Sequence, residues 1–140
     1  MASIVAGTVG IILFLLSGIH LYWVVGGRRG FLAAIPSDGS RIKFRPTKMA
    51  TSLVAVALAL AGLFVLELGE VIERLIFPDW LFNYGGWVLS GVFIIRAIGD
   101  LRWIGFLKKH KGTLFAKWDT LLYSPLCLFI GGCLIFVINS

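Results

Sequence analysis

The chain has 140 residues, of which 59% are hydrophobic and 14% charged, and its mean hydropathy is +0.95. Soluble domains carry about 45–50% apolar and about 25% charged residues, so this composition excludes a water-soluble globular core of this size. The net charge of +6 would suggest nucleic acid in a soluble protein. Here the cations flank apolar runs, where membrane orientation and anionic lipid explain them better. We therefore expect an integral membrane protein that binds no nucleic acid.

Four apolar runs are long enough to cross a bilayer as helices, which takes roughly 20 residues. They lie at about 3–25, 48–68, 81–98 and 119–138. No linker, repeat or low-complexity tract divides the chain, so the predicted architecture is all-α, a single domain (1–140) folded as a transmembrane four-helix bundle. No charged residue precedes Arg28. The first span is therefore expected to be an uncleaved membrane helix and not a signal peptide.

The first span ends in polar and aromatic residues, including His20 and Trp23, which is typical of the headgroup region. His20 is expected either to form a hydrogen bond at that level or to face a ligand pocket. Loop 1, residues 26–47, is strongly basic. It contains a turn signal at 36–39 and an alternation of cations and apolar residues at 41–45 that would suit a membrane surface.

Pro46-Thr47 predicts the start of the second span, which is rich in small residues that favour close helix packing in lipid. Glu67, Glu70 and Glu73 follow at a spacing of three, on one predicted helical face. A carboxylate inside a bilayer suggests cation binding or proton transfer. Glu67 is however about 25 Å from Ala50 along the axis, so we expect a solvated helix end.

The third span ends with Arg96 and Asp100, four residues apart and able to pair. Loop 3, residues 99–118, has five Lys/Arg residues, and its spaced apolar residues predict a short interfacial amphipathic segment on anionic lipid. The last span must begin near Asp119 to be long enough. Pro125 then lies in its second turn and strains the helix, leaving a carbonyl that needs protein or water contacts. Cys127 and Cys133 are expected to be small apolar packing residues.

Orientation follows from the bias of Lys and Arg toward cytoplasmic loops. Both longer loops are rich in these residues, whereas loop 2 has only Arg74. We therefore expect loops 26–47 and 99–118 to be cytoplasmic and both termini to lie outside, in a multi-pass protein of the plasma membrane. The expected partners are the phospholipid bilayer, with anionic lipid at loops 1 and 3.

This topology gathers the polar residues of three spans at one surface. Arg96 keeps its charge in lipid and must meet a carboxylate, a headgroup or an anionic ligand. One interpretation is a ligand site, and the other is an internal clasp between Arg96 and Asp100 or Asp119. The candidate ligand-binding residues are His20, Trp23, Arg96, Asp100, Arg102, Asp119, Tyr123 and Ser124.

Three stretches carry a resemblance to a known family: HLYWVVGG in the first span, then RAIGDLRWIGFLKK and GTLFAKWDTLLYSPLC around loop 3. The chain resembles domain-of-unknown-function family 3995, small bacterial membrane proteins with four spans. The resemblance covers essentially the whole chain. It implies the fold and a location in the bacterial inner membrane, and it implies no reaction.

Enzyme signatures are absent from the sequence, which has no HExxH, GxSxG, P-loop or dinucleotide fingerprint. Two separated histidines give no convincing metal site, and no cofactor is indicated. We expect a protein that binds an anionic small molecule or lipid headgroup in a cytoplasmic-side pocket; transport would require a homo-oligomer. The alternatives are a lipid-modifying enzyme, with His20 or Asp119 as acid or base, and a structural or accessory subunit.

Overall fold

The computed structural model describes residues 1–36, 45–99, 104–109 and 111–140. All of the regular structure within these ranges is helical. The elements are α1 (Ala2–Val24), α2 (Lys48–Leu68), α3 (Asp79–Ile98), α4 (Leu114–Trp118), a π-helical turn (Asp119–Tyr123) and α5 (Ser124–Ile138).

Four stretches of helix are long and apolar enough to cross a membrane, and the fourth runs without a break from Leu114 to Ile138. The predicted all-α, four-span membrane architecture is therefore confirmed. The predicted start of the last span at Asp119 is wrong. The helix begins after Thr113, whose hydroxyl accepts a hydrogen bond of 3.0 Å from the backbone N–H of Ala116. A threonine side chain satisfies the free N–H groups of a first turn, which leaves Asp119 inside the helix.

The second span begins where the sequence predicts. Thr47 caps α2 by accepting a hydrogen bond of 3.1 Å from the backbone N–H of Ala50. The turn signal at 36–39 lies mostly outside the described residues, and so does most of the alternating stretch at 41–45.

The four spans pack as two antiparallel hairpins, α1 with α2 and α3 with α5. A buried serine hydroxyl joins each pair: Ser17 Oγ donates to the Ala55 carbonyl at 2.7 Å, and Ser90 Oγ donates to the Gly131 carbonyl at 2.9 Å. Lipid is as apolar as leucine, so close packing and such hydrogen bonds hold membrane helices together. A Cβ atom on Gly131 would lie 3.2 Å from the Ser90 carbonyl oxygen and 2.6 Å from the Ile94 side chain. Glycine at this position therefore permits the close approach.

The two hairpins meet through a core to which all four spans contribute. At one end Phe64 stacks on Phe82 with ring centroids 5.3 Å apart, and Phe77 meets Phe64 edge-on at 5.5 Å. The remaining core residues are mostly aliphatic. They are Ala6, Val9 and Leu13 from α1, Val65 from α2, Phe93 from α3, and Ile130, Leu134 and Val137 from α5.

Glu67 is buried, which contradicts the expectation of a solvated helix end. Its side chain has 0% exposure, because the chain after α2 folds back over it. The carboxylate accepts three backbone N–H groups: Oε1 from Leu75 at 3.3 Å and Ile76 at 2.9 Å, and Oε2 from Phe77 at 3.2 Å. The predicted glutamate stripe also ends there, since Glu70 follows the helix with φ 54°. Glu67 therefore holds the connection between the two hairpins.

We expect Glu67→Gln to destabilise the protein, because the amide –NH₂ would face backbone N–H donors and leave at least one of them unpaired. Hydrogen bonds to a buried charged group contribute about 1.5–3 kcal/mol, so unfolding in detergent should begin at a clearly lower temperature. Glu70→Gln is the matched control, since Glu70 is exposed and its side chain pairs with Arg74 in the described structure. Equal unfolding temperatures for the two variants would contradict this role of Glu67.

Candidate functional site

Asp119 is the centre of the polar cluster at the end of the bundle where α1 and α3 finish and α2 and the last span begin. We call this the basic end. The Asp119 side chain has 0% exposure and accepts four hydrogen bonds from described residues. Oδ1 accepts from Arg96 Nη2 at 3.0 Å and Ser124 Oγ at 3.2 Å, and Oδ2 accepts from Gly105 N at 2.7 Å and Lys108 Nζ at 3.0 Å. One carboxylate thereby joins α3, loop 3 and the last span.

Pro125 explains the local helix geometry around Asp119. A proline has no N–H, so Pro125 cannot donate to the Leu121 carbonyl as a regular α-helix requires. The turn before it widens to π geometry, in which the Ser124 N–H donates to the Asp119 carbonyl, five residues back. Single π turns of this kind are frequent at functional sites. Here the turn holds both Asp119 and Ser124 buried in mutual contact.

Lys108 is the member of the cluster that sequence reasoning missed. Its side chain is 1% exposed, and its Nζ donates to Asp119 Oδ2, to the Gly105 carbonyl at 2.9 Å and to Thr120 Oγ1 at 2.5 Å. From the sequence, Lys108 is expected among the loop cations at the membrane surface. Its neighbour Lys109 is exposed, and two adjacent lysines offer no sequence signal of which one turns inward.

The fold of loop 3 carries Gly105 and Lys108 to Asp119. Gly99 has φ 88° and Gly105 has φ 85°, both in the left-handed region that favours glycine. A Cβ atom on Gly99 would lie 1.7 Å from the Ile104 carbonyl oxygen. The chain therefore leaves α3 and returns against it, and the Phe106 N–H donates to the Ala97 carbonyl at 2.9 Å. These two glycines permit the approach that builds the site.

Arg96 is shared between the cluster and the surface. Its Nη2 is bound to Asp119, and 32% of its side chain is exposed. Its Nη1 is buried and has no hydrogen-bond partner among the described residues. Asp100, the other expected partner of Arg96, lies outside the described residues, as does Arg102. The ion pair that the structure describes is the one with Asp119.

The remaining candidate residues lie around loop 1. Tyr123 donates from its hydroxyl to the Ala33 carbonyl at 3.2 Å and so ties loop 1 to the last span. His20 Nδ1 lies 2.7 Å from the Leu16 carbonyl oxygen, and its ring packs edge-on against Trp23. Trp23 Nε1 donates to the Arg29 carbonyl at 3.0 Å. Within the described chain, His20 and Trp23 thus contact α1 and loop 1 and make no direct hydrogen bond to Asp119.

An apolar groove of about 400 Å³ lies elsewhere, between α1 and α5. Its lining includes Val5, Phe129 and Cys133, and it contains none of the candidate residues. The groove belongs to the membrane-spanning part of the bundle. No group of three His, Cys, Asp or Glu residues in the described ranges is arranged to hold a metal ion.

We expect Lys108→Met to destabilise the protein strongly, because it leaves the Asp119 carboxylate without its buried partner. Breaking a buried ion pair costs about 3–5 kcal/mol. Lys109→Met is the matched control, since Lys109 is exposed, and it should unfold at the wild-type temperature. A thermal unfolding series in detergent makes the comparison, and similar stability of the two variants would refute the inward position of Lys108.

Comparison with known proteins gives a family and no named relative. No curated protein and no solved structure matches the chain. The family model described as "Protein of unknown function (DUF3995)" matches residues 13–134, which span most of the helical bundle and the whole Asp119 cluster. The chain belongs to this family.

Proposed function

We propose that the protein binds an anionic group at the basic end of the bundle, with Arg96 as the contacting residue. The group is a phosphate, supplied by a lipid headgroup or by a small soluble molecule. The observation that carries the proposal is the geometry of the guanidinium. Asp119 fixes Nη2 at 3.0 Å and 32% of the side chain is exposed, while Nη1 is buried without a partner among the described residues.

The charges of the cluster support an anionic ligand. Asp119 and Lys108 form a buried pair of opposite charge, and Arg96 adds a second cation to the same carboxylate. These three residues therefore carry one excess positive charge. The excess charge lies on a partly buried guanidinium, where a bound phosphate would offset it. The planar fork of arginine donors matches phosphate oxygens in a way that a lysine does not.

The surroundings favour an anion as well. Loops 1 and 3 carry most of the cations of the chain, and Tyr123 brings loop 1 against the last span beside the cluster. We propose that both loops face the cytoplasm and both termini lie outside, as the Lys/Arg bias indicates. Anionic lipids of the inner leaflet and soluble phosphates are both accessible from that side.

Acid–base catalysis receives less support from the geometry. A general base needs a free lone pair within hydrogen-bond reach of the substrate. Asp119 is fully buried with four donors around it, and Lys108 already meets three acceptors.

A structural role is the second candidate function, because this saturation is what an internal clasp requires. A clasp predicts effects on stability alone, whereas a ligand site predicts effects on binding in a folded protein.

We expect Arg96→Gln to weaken anion binding roughly tenfold to a hundredfold, which corresponds to the loss of about 1.5–3 kcal/mol from a charge-assisted hydrogen bond. Two probes distinguish the sources of phosphate. Inorganic phosphate is titrated by calorimetry against the detergent-purified protein, and spin-labelled phosphatidylglycerol is compared with phosphatidylcholine for association in nanodiscs. A response to phosphatidylglycerol only identifies a headgroup site.

Arg74→Gln is the matched control, since Arg74 pairs with Glu70 near the opposite end of the bundle and should bind as the wild type does. Arg96→Lys keeps the charge beside Asp119 but loses the fork, so it should fold normally and still bind more weakly. Unchanged binding of both probes by a folded Arg96→Gln protein would overturn the ligand site and favour the clasp.

A further inference from the structure

Residues 104–109 fold back and lie beside the last turn of α3, at the same depth in the membrane. The Phe106 N–H donates to the Ala97 carbonyl at 2.9 Å, and the Leu107 N–H donates to the Ile98 carbonyl at 3.4 Å. These carbonyls belong to the last turn of a membrane-spanning helix. The hydrogen bonds therefore hold Phe106 and Leu107 beside that turn, so this segment does not project away from the bilayer.

Both side chains nevertheless point away from the protein. Phe106 is 41% exposed and Leu107 is 58% exposed. They cannot turn inward, because the next residue, Lys108, is buried against Asp119. Leaving such a side chain in water forgoes about 1.5–3 kcal/mol relative to full burial. An apolar environment on the outer side of loop 3 would recover this free energy.

The short helix α4 continues the same surface. The continuous helix that begins with α4 at Leu114 has 25 residues. It is about 37 Å long at 1.5 Å per residue, whereas the hydrocarbon core measures about 30 Å. The first turn therefore extends to the headgroup level. There Leu114 and Trp118 are 55% and 42% exposed. Leu121 follows them at 64%, which joins this patch to the lipid-facing surface of the last span.

The charges around the patch have one sign. Lys109, Lys111 and Lys117 are exposed, and residues 101–118 contain no Asp or Glu. Apolar side chains at the depth of a helix end, ringed by cations, match the boundary between headgroups and acyl chains in an anionic leaflet. A protein partner would need an acidic rim around an apolar groove.

We propose that residues 104–109 and 111–118 form a shallow re-entrant wedge that inserts Phe106, Leu107, Leu114 and Trp118 into an anionic leaflet. The wedge anchors the basic end at a fixed depth, and it is independent of the phosphate site at Arg96. The sequence predicts a short interfacial amphipathic segment on the lipid surface in this region. The return of Phe106 and Leu107 onto α3 places part of it in the membrane.

The test measures the depth of position 107. Leu107→Cys, in a background with Cys127→Ala and Cys133→Ala, is labelled with an environment-sensitive fluorophore and reconstituted in nanodiscs of phosphatidylcholine and phosphatidylglycerol. We expect at least twofold stronger quenching by lipids spin-labelled near the headgroup than by aqueous iodide. Lys109→Cys is the matched control, two residues along and polar, and should show the reverse order. Phe106→Cys repeats the measurement if the first variant does not fold.

Iodide quenching of position 107 as strong as that of position 109 would overturn the wedge. Protection from iodide that disappears as the protein is diluted into more nanodiscs would also overturn it, because it identifies a second copy as the covering partner. The preference of the wedge for anionic lipid is tested by replacing Lys109, Lys111 and Lys117 with Gln. This variant should lose at least half of the preference for spin-labelled phosphatidylglycerol, Arg74→Gln should keep it, and an unchanged preference would refute that part. Both measurements are repeated in Arg96→Gln, so that an effect of the wedge is distinguished from an effect of the phosphate site.

Discussion

The ionic hydrogen bonds of Asp119 organise one end of this bundle. A carboxylate with no exposed surface at the margin of a membrane is stable only if it is paired and its lone pairs are satisfied. Here the partners come from α3, from loop 3 and from the span that carries Asp119 itself. The π turn before Pro125, the left-handed glycines of loop 3 and the inward position of Lys108 all serve this arrangement. Arg96 is the only one of these partners that the structure also leaves substantially exposed.

A second buried carboxylate lies at the other end and is satisfied differently. Glu67 accepts only backbone N–H groups in the described structure, and these come from the connection that joins the hairpins. Its role is accordingly local, to fold that connection onto α2. Asp119 instead brings two cations together around one anion. This difference in charge balance is why we propose ligand binding at the basic end and a structural role for Glu67.

Composition and hydropathy were sufficient to predict the four spans, because a bilayer admits few architectures for apolar runs of this length. They also indicated the importance of Arg96, since an arginine in a span must find a counter-charge. The burial of Glu67 and Lys108 depends on the path of the chain in three dimensions, which the sequence does not show. A straight helical axis predicts a solvated helix end for Glu67, because the sequence does not show that the following chain folds back over it. Lys108 and Lys109 are equivalent in sequence, and only the return of loop 3 onto α3 distinguishes them.

The division into two serine-linked hairpins has a consequence for biogenesis. Arg96, Gly105, Lys108, Asp119 and Ser124 all belong to the second hairpin or to the loop within it. The ionic cluster is therefore complete within one pair of adjacent helices. As the ribosome delivers the chain, this half can pair its buried Asp119 and Lys108 after insertion and before it docks against the first half. The pairing of these buried charges in lipid therefore does not depend on the first hairpin.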